Sequence, residues 1–520
     1  MVYKPLINIK NLSISFLEKI VFNKLSFALG KGEVVALVGA NGCGKSTLLD
    51  YIYNKSRNNK TYLNNFDLKV RGEVVYYKNL SINYLPQKLN RQSLTLLDDL
   101  PQYKIDEIKL ISTEFAIDVC RDKLAKTISG AMPHSEGERR KLLLAVTFAS
   151  DADLLIFDEP TNYLDINGIT AFENQVELNR SKGSGIILVS HDRTLIDNLA
   201  DRTIYMTKDG IYQTEGGFSS VWSLADTDYN AKVKKAGSIQ NKITQLQNVV
   251  RDRMKWSAQK EKSKIGAKGD KPFIAKRAKK MATRAKAART RTEKEIVNLN
   301  KIKPTVHVKI SLQMPEYTVK NRNVFSLQDT SFSYSDSEKD LILNEVDFSM
   351  STNDRVCLMG ANGIGKSTLI KLILGINKPA NGKCTLNKNV RLSVIPQGLK
   401  GYFKHKTLLE NFRDTGRSET EIRLALASVF IRREKVHEPI DNFSYGELMR
   451  AAMVKCVLEQ AEFLILDEPT SHLDIESIEV LEKILHDFPG GYLIVSHDRS
   501  FVANVSEDLY VLEDGRLKIV

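Results

Sequence analysis

Two stretches of this chain repeat the same run of chemical groups. The first reads Gly39-Ala-Asn41-Gly42-Cys-Gly44-Lys45-Ser46-Thr47 and the second Gly360-Ala-Asn362-Gly363-Ile-Gly365-Lys366-Ser367-Thr368, 321 residues later. Glycines so placed let consecutive backbone N–H groups turn inward on an anion at the positive end of a helix. The closing lysine, Lys45 or Lys366, can reach the β- and γ-phosphates of a nucleotide, and the adjoining Ser46 or Ser367 hydroxyl suits Mg2+. Each half then carries an apolar run that ends in two carboxylates, Leu154 to Asp158-Glu159 and Phe463 to Asp467-Glu468. Asp158 or Asp467 can join the Mg2+ shell while Glu159 or Glu468 polarises an attacking water. Farther on, Val-Ser-His-Asp-Arg occurs twice and sets His191 and His497 after another apolar run. A lone histidine is usually a satisfied surface residue. Repetition of the whole string points instead to a γ-phosphate contact, and the chemistry on offer is nucleoside triphosphate hydrolysis.

Positioning these groups requires strands and helices in a set order. Val34–Val38 and Val356–Met359 are short apolar runs directly before the glycine loops, and Leu48-Leu49 resumes an apolar pattern after the first. Strand, glycine loop and helix start are the context a phosphate-binding loop needs. The expected fold class is therefore α/β, with two P-loop domains at residues 1–226 and 304–520.

Residues 227–303 are duplicated in neither half. From Ala231 to Lys303 there are 23 Lys and Arg against 5 Asp and Glu, a net of +18 where the whole chain carries +13, so the remainder is slightly acidic. A basic excess confined to one segment argues for local contact with a polyanion. Ile243, Leu246, Val250 and Met254 recur at helical steps; Gly266, Gly269 and Pro272 then break the pattern, and helix formers resume from Phe273 to Leu299. The spacing predicts a long α-helical hairpin linker, a basic tip and arms of roughly 50 Å. Charge-rich helices between domains are often solvated spacers, but a spacer would mix Glu with Lys, and Lys271 to Arg291 has no acidic residue. Nucleic acid phosphate would neutralise such a segment.

No run approaches 18 apolar residues, so no membrane span or membrane partner is expected. The five cysteines lack metal-like spacing, which suits free thiols and a cytoplasmic location.

Both halves resemble ATP-binding cassettes, and their tandem arrangement is similar to the ABC-F family of ATPases, over nearly the whole chain. The resemblance implies ATP and Mg2+ as cofactors and intramolecular pairing of the two cassettes in a monomer. It adds Gln87 and Gln397 as Q-loop residues at the nucleotide and metal, and Phe16 and Tyr334 as aromatics stacking on adenine. It also adds Asp165 and Asp474 as D-loop residues between the sites. The signature segments depart from the family's usual Ser-Gly-Gly-Glu: they read Ser135-Glu136-Gly137-Glu138 and Ser444-Tyr445-Gly446-Glu447. Ser135, Gly137, Ser444 and Gly446 remain as expected γ-phosphate donors, each pair completing the site of the opposite P-loop. Glu136 brings a carboxylate near a polyphosphate, which bears on whether the two sites turn over equally.

Gln87 lies 48 residues before Ser135 and Gln397 lies 47 before Ser444, which leaves no room for a sizeable arm inserted in the first cassette. A long linker without that arm resembles the antibiotic-resistance members. This implies a partner in the bacterial 70S ribosome, its 23S rRNA and tRNA, with the linker tip near the peptidyl-transferase centre. Lys264, Lys268, Lys271, Phe273, Lys276, Arg277, Lys279, Lys280 and Arg284 are the expected RNA contacts. The alternatives are a housekeeping ABC-F translation factor and the energising subunit of a membrane exporter, which would have no use for the basic hairpin.

Overall fold

The computed structural model describes residues 5–16, 19–59, 68–87, 102–117, 136–207, 210–262, 271–302, 317–334 and 341–520. The chain divides into two compact units. One comprises Met1–Val221 with Ile310–Val520, the other Trp222–Lys309.

Within the larger unit each half contains two sheets. The first half has β1 (Ile7–Phe16), β2 (Lys19–Leu29), β3 (Val34–Gly39), β4 (Leu68–Tyr76), β5 (Ile82–Leu85), β6 (Leu154–Asp158), β7 (Gly185–Val189), β8 (Arg202–Thr207) and β9 (Gly210–Glu215). The second half repeats them as β10 (Asn323–Phe332), β11 (Leu343–Ser351), β12 (Arg355–Gly360), β13 (Asn381–Leu386), β14 (Leu392–Ile395), β15 (Phe463–Asp467), β16 (Gly491–Val495), β17 (Asp508–Glu513) and β18 (Arg516–Ile519). Three strands form an antiparallel sheet in the order β2-β1-β4, and six form the order β5-β6-β7-β3-β8-β9; the second half gives β11-β10-β13 and β14-β15-β16-β12-β17-β18.

In each six-stranded sheet all neighbouring pairs are parallel except the last. Strands covered on both faces read as continuous apolar runs. Every residue of β3, β6 and β7 is accordingly buried. Phe148 on helix Glu136–Phe148, Phe157 on β6 and Phe172 on helix Ile166–Ser181 pack ring against ring, with centroids 5.0–5.5 Å apart. Each buried ring contributes about 1.5–3 kcal/mol.

Register then fixes the site. Asp158 at the end of β6 pairs with Val189 at the end of β7, and Leu37 of β3 pairs with the same Val189. The glycine loop, the two carboxylates and the histidine thus leave the sheet together at its carboxyl end, where open α/β sheets place their ligands.

Helix Phe218–Lys262 starts in the larger unit and runs on for 45 residues, and helix Lys271–Ile302, in the smaller unit, runs for 32. The first begins at Phe218, ahead of Thr227, because Asp197 takes the Ser219 N–H and hydroxyl at its start (2.9 and 2.7 Å) and nothing downstream breaks it. Ile243, Leu246 and Val250 on one helix, with Thr292, Ile296 and Leu299 on the other, are among the less exposed positions of the smaller unit. The Lys242 ammonium lies 3.4 Å from Glu295, so the second helix returns alongside the first. Among the described residues no helix is long and apolar enough to cross a membrane.

Candidate nucleotide sites

Gly39 and Gly360 have φ near 154°, and Gly44 and Gly365 sit in left-handed backbone as N-caps of helices Lys45–Ser56 and Lys366–Ile373. A Cβ at Gly360 would stand 2.8 Å from the Leu512 carbonyl, so only glycine lets the chain pass. Neither helix has a side-chain cap. Their first N–H groups, with those of Gly42 and Gly363 in the loops, stand where the sequence leads one to expect a phosphate cradle, while the N–H groups of Asn41 and Asn362 are taken by aspartates of the opposite half. Lys45 is folded into its own loop, Nζ donating to the carbonyls of Gly39 (2.6 Å) and Ala40 (3.2 Å); Lys366 does the same with Gly360 (2.8 Å) and Ala361 (2.9 Å). Ser46 and Thr47, and Ser367 and Thr368, follow on the first turn of each helix.

The carboxylates fit a divalent cation. Asp158 is 1% exposed, and among the described residues neither of its buried carboxylate oxygens has a well-formed hydrogen bond. Burial holds its pKa above the ordinary value, with Ser46 and Lys45 pulling the other way. A buried anion lacking donors is costly unless a cation meets it. In the second half the Ser367 hydroxyl donates to Asp467 Oδ2 at 3.1 Å, which brings together the two residue types expected to share Mg2+. Gln87 and Gln397 are exposed at the ends of the segments that follow β5 and β14. Ser46, Asp158 and Gln87 could hold the ion in one site and Ser367, Asp467 and Gln397 in the other; bound there, Mg2+ supplies charge neutralisation on the phosphates.

Beside each aspartate the chain turns into the left-handed region, with φ of 52° at Glu159 and 51° at Glu468. Each N–H is tied to the neighbouring strand end, Glu159 to Val189 O (2.9 Å) and Glu468 to Val495 O (2.8 Å). His191 Nε2 stands 3.1 Å from Glu159 Oε1, and His497 Nε2 stands 3.2 Å from Glu468 Oε1 and 3.1 Å from Lys366 Nζ. Burial first, then the adjacent lysine, pushes the histidines down to about 3 and about 4, so both rings are neutral. Burial pushes Glu159 up to about 8 and Glu468 up to about 7. A carboxylate of that basicity suits proton abstraction near neutral pH.

Each phosphate loop meets the opposite half through a D-loop aspartate. Asp474 caps its own helix through Ser477 N–H (3.0 Å) and accepts the Asn41 N–H on its other oxygen (2.9 Å). Asp165 accepts from Gly168 N–H (3.0 Å) and from Asn362 N–H (3.1 Å) in the same way, while Asn362 Nδ2 donates to Tyr163 O at 3.1 Å. Among the described residues no hydrogen bond joins Ser444 or Gly446 to the opposite loop; the D-loop occupies that contact. Ser444 caps helix Tyr445–Leu458 reciprocally with Glu447, an arrangement that uses its oxygen as acceptor and leaves its proton to donate. Gly446 and Gly137 lie against the D-loop segments: an added Cβ would stand 2.8 Å from Ser477 Oγ and 3.2 Å from Tyr163 O, respectively.

Phe16 is half-buried at the end of β1, opposite Lys19 and Leu68. Tyr334 is exposed, its hydroxyl 3.2 Å from Thr368 Oγ1 at the start of the phosphate-loop helix. Ser135, Lys264 and Lys268 lie outside the described residues. So do the side chains of Lys271, Phe273, Lys276, Arg277, Lys279, Lys280 and Arg284, whose backbone forms part of helix Lys271–Ile302.

Sequence reasoning missed Arg140. This side chain is 3% exposed and donates from Nη1 to Pro86 O (2.7 Å) and Gln87 O (3.3 Å), and from Nη2 to Asp158 O (2.7 Å) and Glu159 O (2.9 Å). It also missed the pairs across the two halves, Arg193 with Glu482 and Arg499 with Glu173 (2.7 Å).

Two phosphate loops, two metal-type carboxylates and two basic glutamates, crossed by D-loops, define a tandem ATPase of the ATP-binding-cassette class. The ABC transporter family matches residues 22–162 and 343–471. The ATP-binding protein Uup of Buchnera aphidicola subsp. Acyrthosiphon pisum is 30% identical over 527 residues, covering 98% of this chain and 80% of the relative. The ribosome protection protein VmlR of Bacillus subtilis is 26% identical over 518 residues, covering 99% and 88%. A chain in the crystal structure of archaeal ribosomal stalk protein aP1 with archaeal ribosome recycling factor aABCE1 superposes with a TM-score of 0.58 at 18% identity, covering 96% of this chain and 87% of that one; it shares the fold. The protein belongs to the ABC-F family, and it is an ATPase that uses ATP with Mg2+.

Proposed function

We propose that this ATPase is a cytoplasmic, monomeric ribosome-protection factor: its ATP-closed form enters a tRNA site of the bacterial 70S ribosome, and hydrolysis allows release. The +18 segment between the two cassettes carries this reading. Nothing in ATP chemistry requires it, whereas rRNA and tRNA backbones would neutralise it. Of its described side chains, Arg251, Lys255, Lys286, Arg289 and Arg291 are exposed. On this reading the tip around Lys264, Lys268, Lys271 and Phe273 approaches the peptidyl-transferase centre, and Lys276, Arg277, Lys279, Lys280 and Arg284 follow RNA backbone. There it displaces bound antibiotic. The domains are 1–226, 227–303 and 304–520.

Each site uses Glu159 or Glu468 to take the proton of the attacking water. The neutral His191 or His497 orients it, and the P-loop N–H groups with Lys45 or Lys366 bind the phosphates. One site combines Lys45, Asp158, Glu159 and His191 with Ser444 and Gly446; the other combines Lys366, Asp467, Glu468 and His497 with Ser135 and Gly137. A general base contributes roughly 10²–10⁴-fold. The protein carrying Glu159→Gln with Glu468→Gln should therefore bind ATP, turn over at least about 100-fold more slowly and co-sediment with bacterial 70S ribosomes in ATP. Loss of a bound peptidyl-transferase inhibitor on association supports protection. Association with the inhibitor retained favours a housekeeping translation factor. ATP-loaded protein that ignores ribosomes overturns both.

A further inference from the structure

The two signature helices occupy the same place in each half, yet they are fastened to their surroundings by different side chains. With Ser135 aligned on Ser444 in the sequence, Lys141 corresponds to Arg450, Arg140 to Met449 and Glu136 to Tyr445. Arg140 bridges four carbonyls, two at the end of the Q-loop strand segment (Pro86 and Gln87) and two at the turn that carries the metal-type and basic carboxylates (Asp158 and Glu159). Three elements distant in sequence are thereby held by one planar, charged group, which presents its donors in a fixed fork. Met449 is 1% exposed, has no donor and packs into the apolar core of the second half. There Tyr445 partly takes over: its hydroxyl donates to the Gln397 carbonyl at 2.8 Å and its ring meets the D-loop His472 edge-on at 5.7 Å. Among the described residues, no side chain of the second signature helix reaches the backbone of Asp467 or Glu468.

We propose that Arg140 and Tyr445 are positioning residues that make the two ATP sites unequal. Arg140 joins the first signature helix to both the Q-loop and the Glu159 turn, whereas Tyr445 joins the second to the Q-loop and the D-loop His472 and leaves Glu468 to its own backbone bonds. The proposal rests on the assignment of Glu159 and Glu468 as bases. Because Glu159 occupies left-handed backbone, a group that fixes its carbonyl governs where its carboxylate points, which affects kcat rather than ATP binding. The same guanidinium makes the Glu159 turn and the helix bearing Gly137 move together. Gly137 belongs to the Lys366 site, so a change at the first site is passed mechanically to the second, more firmly than in the reverse direction.

The experiment uses the full chain with one site silenced at a time. Glu468→Gln leaves turnover at the Glu159 site and Glu159→Gln leaves it at the Glu468 site. Adding Arg140→Met, the residue type of the second half, should lower kcat at the Glu159 site at least tenfold with KM for ATP within twofold, and lower kcat at the Glu468 site threefold or less. Tyr445→Phe removes one hydrogen bond and should act in the opposite sense, with the larger fall at the Glu468 site. Arg140→Lys retains the charge but cannot span four carbonyls; it covers the case in which the methionine variant fails to fold, and it should show the same site selectivity. Equal falls at both sites, a KM rise with unchanged kcat, or full turnover in Arg140→Lys overturns the proposal. Persistent turnover with both glutamates replaced by glutamine overturns the catalytic assignment, and the proposal with it.

Discussion

Arg193 and Glu482 belong to different halves, 289 residues apart, and form a two-pronged ion pair whose second contact measures 3.4 Å. Their side chains are only 9% and 16% exposed. Charge centres about 4 Å apart in an effective dielectric of about 20 attract by roughly 4 kcal/mol, most of which offsets the loss of hydration. Removing one partner exposes the other side of that balance. After Arg193→Ala the Glu482 carboxylate keeps, among the described residues, only the Asn504 amide at 3.2 Å, and the cost should be about 3 kcal/mol, the low end for a broken buried pair. The double variant Arg193→Ala with Glu482→Ala strands no charge, so it should lose less than the sum of the singles by about 2 kcal/mol. The assay is a double-mutant cycle in urea followed by circular dichroism. Additivity within about 0.5 kcal/mol would refute the view that this pair, rather than the apolar surface around it, holds the halves in register.

Two further predictions concern charge. Asp498 faces Asp192, Arg193 and Glu482 and is pushed up to about 6, mainly by burial and then by Asp192. A carboxyl raised on folding binds more protons in the native state, so stability falls as pH rises from about 4 through about 6 and stays lower above. Asp498→Asn can still accept the Phe501 N–H, now 2.9 Å from Oδ1, and should raise the Tm at pH 8 more than at pH 4; the reverse order in thermal melts contradicts the sign. Replacing Lys276, Arg277, Lys279 and Lys280 together by Ala should weaken ribosome association and reduce its logarithmic salt slope by up to about 3. An unchanged slope means that the basic helix is a spacer.

The residues that chemistry demands were readable because type and spacing must coincide: a phosphate loop needs its glycines, lysine and serine in one order, and the apolar strands before Asp158 and Asp467 can only be buried. Arg140 was not readable. In Glu138-Arg139-Arg140-Lys141 it resembles any surface cluster, and its partners are backbone carbonyls, which every residue carries. Arg193 and Arg499 stood in plain view inside the repeated His-Asp-Arg string, but Glu482 and Glu173 are ordinary helix residues whose role exists only once the halves meet. The early start of the first linker helix escaped for a similar reason, since its cap comes from Asp197 and no local signal marks Phe218.

Glu159 and Glu468 hold a conformation that costs a side chain on the order of 1–2 kcal/mol, and a glycine would adopt it freely. With these two glutamates as the bases proposed above, heat resistance and turnover pull in opposite directions at the same two codons. A library selected only for surviving high temperature should accumulate Glu159→Gly and Glu468→Gly and so drift toward a sturdier protein that grips ATP without consuming it. Retention of both glutamates marks a chain still selected for turnover.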